Sequence, residues 1–498
     1  MVDEVRQSIQ MTIYLQAQAA QIRPLLFVIV LAVGLGCPFQ FYSNSVVNNL
    51  FTVVQPFYND SFYQHYGYWL DKENFDLLWS VTTASLQIGA TVGSVATQIL
   101  AERVGRRIGL IITSTVCIIG SILTTIPLVT NSFELLIFGR LILGLSLGCS
   151  LGLASMFINE ISPSSFRGMF GSLLQVCLGL GNLLSLIFTL PQLFGTESLW
   201  PISMIIPAIT SLIQLVVLLL SHETPPYLIY TIKNAEKATR SLSFYGGNAF
   251  HLTMITKVLS AKKSTVKELF KQNNLRLAII LSIIIAFAVQ FSGIAAILAY
   301  SKTMFVNAGF DDLKSKYASL GIGVCNTLSP LISTLLVERL GRKSILIGGL
   351  SICLSCLCSL ILFNELNINF NWQPGQILTL PCLYIFQIGF SLSSSVLWII
   401  AAELFPQAAR STAMTTIVFF FFLFQTIVVF AYLPLSVAAG TSLSFLPFII
   451  ALVISIFLLL KFLPETKGVK MDEVERQMFR RMSRISQISS ISGGSFKL

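Results

Sequence analysis

Two charged stretches recur in this sequence. Residues 102–107 read Glu-Arg-Val-Gly-Arg-Arg, and residues 338–343 read Glu-Arg-Leu-Gly-Arg-Lys. Each is followed by a second motif, Glu160-x-x-Pro163 running to Arg167 and Glu403-x-x-Pro406 running to Arg410. The chemistry on offer is ionic rather than catalytic. Gly105 and Gly341 permit tight reversals of the chain. Arg103, Arg106, Arg107, Arg339 and Arg342 can make charge-assisted hydrogen bonds to Glu160, Glu403 or helix C-termini. The two pairs of motifs are offset by 236 and 243 residues in a chain of 498. Two motifs repeating in order at nearly one offset mark an internal duplication.

The elements that carry these loops belong to a membrane. The chain is 54% hydrophobic and 11% charged, with a mean hydropathy of +0.78. A soluble domain carries roughly 25% charged residues, so an ordinary soluble enzyme is excluded. Each membrane-crossing helix needs about 20 apolar residues. Apolar stretches fall at 24–46, 77–100, 108–129, 135–158, 169–190, 201–221, 277–300, 317–337, 344–364, 378–401, 412–434 and 444–463. The first ten residues hold acids and no apolar core, so the run from Pro24 reads as an uncleaved first span. The sequence thus predicts an all-α membrane protein of 12 transmembrane helices in two pseudosymmetric six-helix bundles, with a pathway between them.

The divisions follow. Residues 1–23 form a cytoplasmic segment, 24–221 one bundle, 222–276 a partly helical cytoplasmic linker, 277–463 the second bundle, and 464–498 a largely disordered tail. With both termini inside, 27 of the 32 basic residues face the cytoplasm, leaving only Lys72, Arg140, Lys302, Lys314 and Lys316 elsewhere. The charge of +10 therefore belongs to the inner membrane surface, and no nucleic-acid partner is implied. Residues 47–76 become an extracellular loop carrying the sequon Asn59-Asp60-Ser61, a candidate glycosylation site. All nine cysteines lie in apolar stretches and read as buried thiols. The triplet Cys353, Cys356 and Cys358 has no histidine nearby to complete a zinc site. No cofactor, metal or enzymatic cluster is predicted.

These residues resemble the sugar-porter family of the major facilitator superfamily, and within it the facilitative hexose (GLUT-type) carriers. The likeness rests on both Gly-Arg loops, Arg140 in Gly-Arg-Leu-Ile-Leu-Gly, Glu160 through Arg167-Gly168, Gln290-Phe-Ser-Gly293, Trp398 with Glu403–Arg410, and Pro464-Glu-Thr-Lys-Gly468. The stretches FYNDSF and LLWSVT look most like the fructose- and urate-handling branch. The resemblance implies substrate contacts at Gln175, Gln290, Asn326 and Trp398. Amides both donate and accept, so they can replace the water around a sugar hydroxyl without holding a charge in the membrane. Trp398 offers a flat apolar face for a sugar ring. The lipid bilayer and a small solute are the implied partners, with a functional monomer at the plasma membrane.

Departures from the family pattern fall at Val289, Ala295, Ser391 to Ser395, Phe421 and Phe422, where amide, glycine-proline or tryptophan residues are usual. A glycine before Tyr42 is missing, and His222-Glu-Thr-Pro-Pro226 lacks the usual arginine. The predicted pocket is therefore more apolar than a glucose site. From Arg23 to Asp60 the first span holds no acid, whereas proton-coupled relatives generally carry an aspartate there, so facilitated diffusion is predicted. The charged loops are predicted to tie the two bundles together at the cytoplasmic face, and Gly293 to let the seventh span bend. A carrier for urate or another non-hexose solute, and a transport-dead nutrient sensor, are the competing readings. The basic run before Ser483 is read as a solvated tail.

Overall fold

The chain folds as a succession of helices, and the computed structural model describes residues 24–163, 167–245, 266–370, 374–405 and 407–465. The N-terminal half holds α1 (Pro24–Gly36), α2 (Tyr42–Tyr66), α3 (Lys72–Arg103), α4 (Arg106–Thr125), α5 (Phe133–Ile161), α6 (Arg167–Phe188) and α7 (Ile206–Leu219). Three short helices follow in the linker, α8 (Pro225–Tyr230), α9 (Ala235–Phe244) and α10 (Val266–Lys271). The C-terminal half holds α11 (Asn273–Gln290), α12 (Ile294–Asn307), α13 (Asp312–Leu340), α14 (Arg342–Phe370), α15 (Pro374–Glu403), α16 (Gln407–Leu443) and α17 (Leu446–Phe462). Among the described residues nine helices are long and apolar enough to cross a membrane, α1–α2 and α11–α12 each counting as one and α7 counting together with the short helix Trp200–Met204 before it.

Two long helices fall outside that set for a physical reason. α3 and α13 run for 32 and 29 residues, but α3 buries Thr82, Thr83, Ser85 and Gln87, and α13 buries Ser315, Ser319, Asn326 and Thr327. Each packs on a helix of the opposite half, α3 on α16 and α13 on α6. A face turned toward protein rather than lipid tolerates polar groups that find partners there. Within the N-terminal half, α3 and α5 approach closely through Gly89 and Gly93 on one side and Gly144 and Gly148 on the other. A Cβ at any of the four would overlap the facing backbone, the packing of small residues at four-residue spacing.

The extracellular loop expected at 47–76 is largely helical instead. α1 stops at Gly36, a short 3-10 turn covers Pro38–Phe41, and α2 continues to Tyr66. The buried polar residues of α2 had masked the helix in the hydropathy pattern. Asn49 Nδ2 donates to the Leu186 carbonyl (3.2 Å) and to Thr189 Oγ1 (3.0 Å). Asn59 consequently sits half-buried on a helix rather than on a loop. Ser61 of the same sequon is buried, its hydroxyl donating to the Asn131 carbonyl (2.6 Å) and accepting from the Phe133 N–H (3.1 Å).

The seventh apolar stretch is not one helix. α11 ends at Gln290, and Gly293 takes φ +90° before α12 begins, a conformation that favours a residue without Cβ. All nine cysteines are free; seven are buried, while Cys325 is half-buried and Cys358 is exposed, against the uniform burial expected. Cys358 shows that a position inside an apolar stretch does not settle which way it faces. Lys257, Lys262 and Lys263 of the linker and the tail with Ser483 lie outside the described residues.

Candidate functional site

A pocket of about 710 Å³, its open mouth included, lies between the two halves. Gln175 and Asn182 reach it from α6, Gln290 from α11, Asn326 from α13, Trp398 from α15 and Gln425 from α16. All four residues proposed from the sequence as substrate contacts thus line one pocket. Asn182 and Gln425 join them and were not foreseen. Asn182 stands seven residues after Gln175, two helical turns along the same face, which is the signal that could have found it. Gln387 supports the site from beneath, its Nε2 donating to Asn326 Oδ1 at 2.8 Å.

Four of these amides keep atoms without a protein partner. Gln290 Oε1 and Gln425 Oε1 are buried acceptors, and Asn182 Nδ2 and Asn326 Nδ2 are buried donors. An unpaired buried polar atom costs roughly 1–3 kcal/mol, so a pocket carrying both kinds favours a solute whose groups donate and accept. The apolar wall is aromatic: the Trp398 and Phe421 rings lie 5.4 Å apart and tilted by 50°. Ala295, Ser391 and Phe421, three of the departures from the family pattern, are lining residues. Among the described residues, the pocket lining includes no Asp or Glu.

The two charged clusters form as a matched pair. In the first, Arg106 pairs with Glu160 (Nη2–Oε1 2.8 Å, Nε–Oε1 3.0 Å), and Thr224 Oγ1 donates to the other Glu160 oxygen at 2.6 Å. In the second, Arg342 pairs with Glu403 (Nη2–Oε1 3.2 Å). Gly105 and Gly341 turn the chain with φ +103° and +91°. Arg103 is exposed, its carbonyl accepting from Tyr227 Oη, and Arg339 is exposed at the end of α13. The side chains of Arg167 and Arg410 lie outside the described residues.

These pairs correct one expectation. Each arginine meets a glutamate of its own half, because α5 packs on α3 and α4, and α15 packs on α14. They brace each half rather than clasp one to the other.

Two further carboxylates, whose capping role was not foreseen from the sequence, complete the clusters. Glu223 accepts from the backbone N–H of Arg106 (3.0 Å) and Arg107 (3.0 and 3.1 Å), capping the orphan donors that open α4. Glu465 accepts from Arg342 (2.9 Å) and Lys343 (3.2 Å) and caps α14 in the same way. Burial pushes the Glu223 carboxyl above its ordinary value, and the backbone donors partly offset that rise. A Cβ on Gly105 or Gly341 would crowd the capping carboxylate. The signal was present: Glu-Thr occurs at 223–224 and again at 465–466, at the same half-chain spacing as the other motifs.

Helices of membrane length with an uncharged pocket between the two halves make a polytopic membrane protein. Solved structures share the fold. The xylose transporter XylE from E. coli, in a partially occluded inward open conformation, matches with a TM-score of 0.73 over 90% of this chain and 100% of its own, at 21% identity. The proton:xylose symporter XylE bound to 6-bromo-6-deoxy-D-glucose, described as a major facilitator superfamily protein, matches with a TM-score of 0.73 over 92% of this chain and 99% of its own, at 21% identity.

Residues 28–478 match the family described as Sugar (and other) transporter, and the chain belongs to that family. It is 28% identical over 472 residues to the mouse solute carrier family 2, facilitated glucose transporter member 7, covering 93% of this chain and 91% of that one. The chicken facilitated glucose transporter member 3 is 33% identical over 383 residues, 75% and 76% of the two chains. The horse facilitated glucose transporter member 5 is 29% identical over 479 residues, 94% of each. The protein is a multi-pass membrane transporter of that family and not an enzyme.

Proposed function

We propose that the protein is an uncoupled carrier moving a hexose or a related small polar solute down its gradient by alternating access. In this reading twelve spans form two pseudosymmetric six-helix bundles, both termini are cytoplasmic, and the pocket between the bundles is the transport site. The observation that carries it is the pocket's set of unpartnered amide donors and acceptors on both halves. A hydroxylated solute satisfies both kinds at once. The relatives named as facilitated glucose transporters support the solute class. The pocket lining without a carboxylate supports facilitated diffusion, because ion coupling needs a titratable group in the membrane.

Ala295 and Phe421 in the lining favour a second reading, a flatter and less hydroxylated solute such as urate. Counterflow in proteoliposomes with radiolabelled hexoses, polyols and urate separates the two. Counterflow of a hexose or polyol supports the first reading and counterflow of urate alone the second. Counterflow of none of them overturns both and leaves a transport-dead sensor.

A further inference from the structure

At the end of the molecule away from the charged clusters, three consecutive residues of α12 lock onto the N-terminal half. Tyr300 Oη and Thr83 Oγ1 are 2.8 Å apart. Asn48 clamps the next two residues, its Nδ2 donating to Ser301 Oγ (2.6 Å) and its Oδ1 accepting from the Lys302 N–H (3.0 Å). Lys302 then sends its ammonium group across to Thr52 Oγ1 at 2.8 Å. The lysine is nearly covered, with its side chain 2% exposed. A buried ammonium group demands a counter-charge, and Asp312, at the start of α13, supplies it at 2.5 Å. The same carboxylate holds a second buried lysine, Lys316, 4% exposed, at 3.3 Å. Among the described residues, Asp312 is the one carboxylate within ion-pair distance of either lysine.

We propose that Asp312 is a positioning residue for transport: its charge allows the outer gate to close over Lys302 and so sets the balance between the closed and open states of that gate. The sign follows from solvation. Asp312 and Lys302 belong to the same half, so they stay together when the halves part, whereas Thr52 and Asn48 leave. Closing the gate strips water from the ammonium group, and only a neighbouring carboxylate makes that stripping tolerable. Neutralising Asp312 leaves two buried cations, Lys302 and Lys316, without their counter-charge in the closed state, which is far costlier than replacing charged partners by uncharged groups of similar shape. The gate should then open to hydrate Lys302. Removing the lysine charge as well should let it close again.

The inference rests on the alternating-access reading, and the test follows the gate without any solute, so the failure of either is told apart. Hydrogen–deuterium exchange is measured on the purified full-length protein in detergent micelles, in peptides covering 42–58 and 294–307. Asp312→Asn should speed exchange in both segments by about tenfold or more, while segments of α4 and α14 stay unchanged. The double variant Asp312→Asn with Lys302→Met should return both segments to within about twofold of the unaltered protein. Unchanged exchange in Asp312→Asn, or faster exchange that persists in the double variant, overturns the proposal. If Asp312→Asn alone does not fold, recovery of a folded, slowly exchanging protein in the double variant supports the proposal, and failure of the double variant to fold overturns it.

Discussion

Replacing Glu223 by alanine removes the carboxylate that caps α4, and its cost can be worked from the geometry. Three bonds to the backbone N–H groups of Arg106 and Arg107, at 3.0, 3.0 and 3.1 Å, are lost together. A hydrogen bond to a charged group contributes roughly 1.5–3 kcal/mol when buried. These bonds are only partly buried, so water recovers part of that, and the loss of a helix cap alone costs about 0.5–2 kcal/mol. The expected total is about 2–3 kcal/mol. For a cooperative unit of 150–250 residues this corresponds to a fall in Tm of roughly 5–10 °C. Glu465→Ala should act in the same direction and by a similar amount, since it caps the equivalent helix. Thermal unfolding in detergent, followed by intrinsic fluorescence, reads both. A Tm within a degree of the unaltered protein for Glu223→Ala would refute the capping argument. A large effect in one half and none in the other would refute the matched roles.

Other expectations are simpler. Gly293→Val should abolish uptake while leaving delivery to the cell surface intact, because φ +90° strains a β-branched residue and a Cβ there meets the Phe448 ring at 3.3 Å; uptake against surface biotinylation checks it. Gln290→Ala or Asn326→Ala should each raise the half-saturating concentration of the transported solute about tenfold, the loss of one good hydrogen bond, as measured by initial rates. A double-mutant cycle of Arg106→Met and Glu160→Gln should give a coupling of about 1–2 kcal/mol in unfolding, above the value for an exposed pair, because the two side chains are only 12% and 19% exposed.

Much of the site was legible before any coordinates. The resemblance to the sugar-porter family implied Gln175, Gln290, Asn326 and Trp398, which line one pocket, and the recurring Gly-Arg and Glu-x-x-Pro motifs announce a duplication. Other features were hidden by the same rules. Asn48 and Asn49 broke the hydropathy pattern, so the second part of the first span read as a loop, although buried hydrogen bonds keep it helical. Glu223 looked like one acid among many polar residues of a linker, and only its place beside a helix N-terminus reveals its task. Charge patterns show which residues share a surface but not which helix ends are neighbours. The arginine–glutamate pairs were therefore assigned between halves when they lie within them. Lys302 shows the same limit: its burial depends on Asn48 and Thr52, some 250 residues earlier in the chain.

The central claim is that an uncharged pocket moves its solute without ion coupling, and one measurement tests it most directly. Purified protein in proteoliposomes is given the solute identified by counterflow, with and without an imposed pH gradient. The internal concentration should rise to the external value and stop there in both cases. Accumulation above equilibrium driven by the gradient would contradict the account.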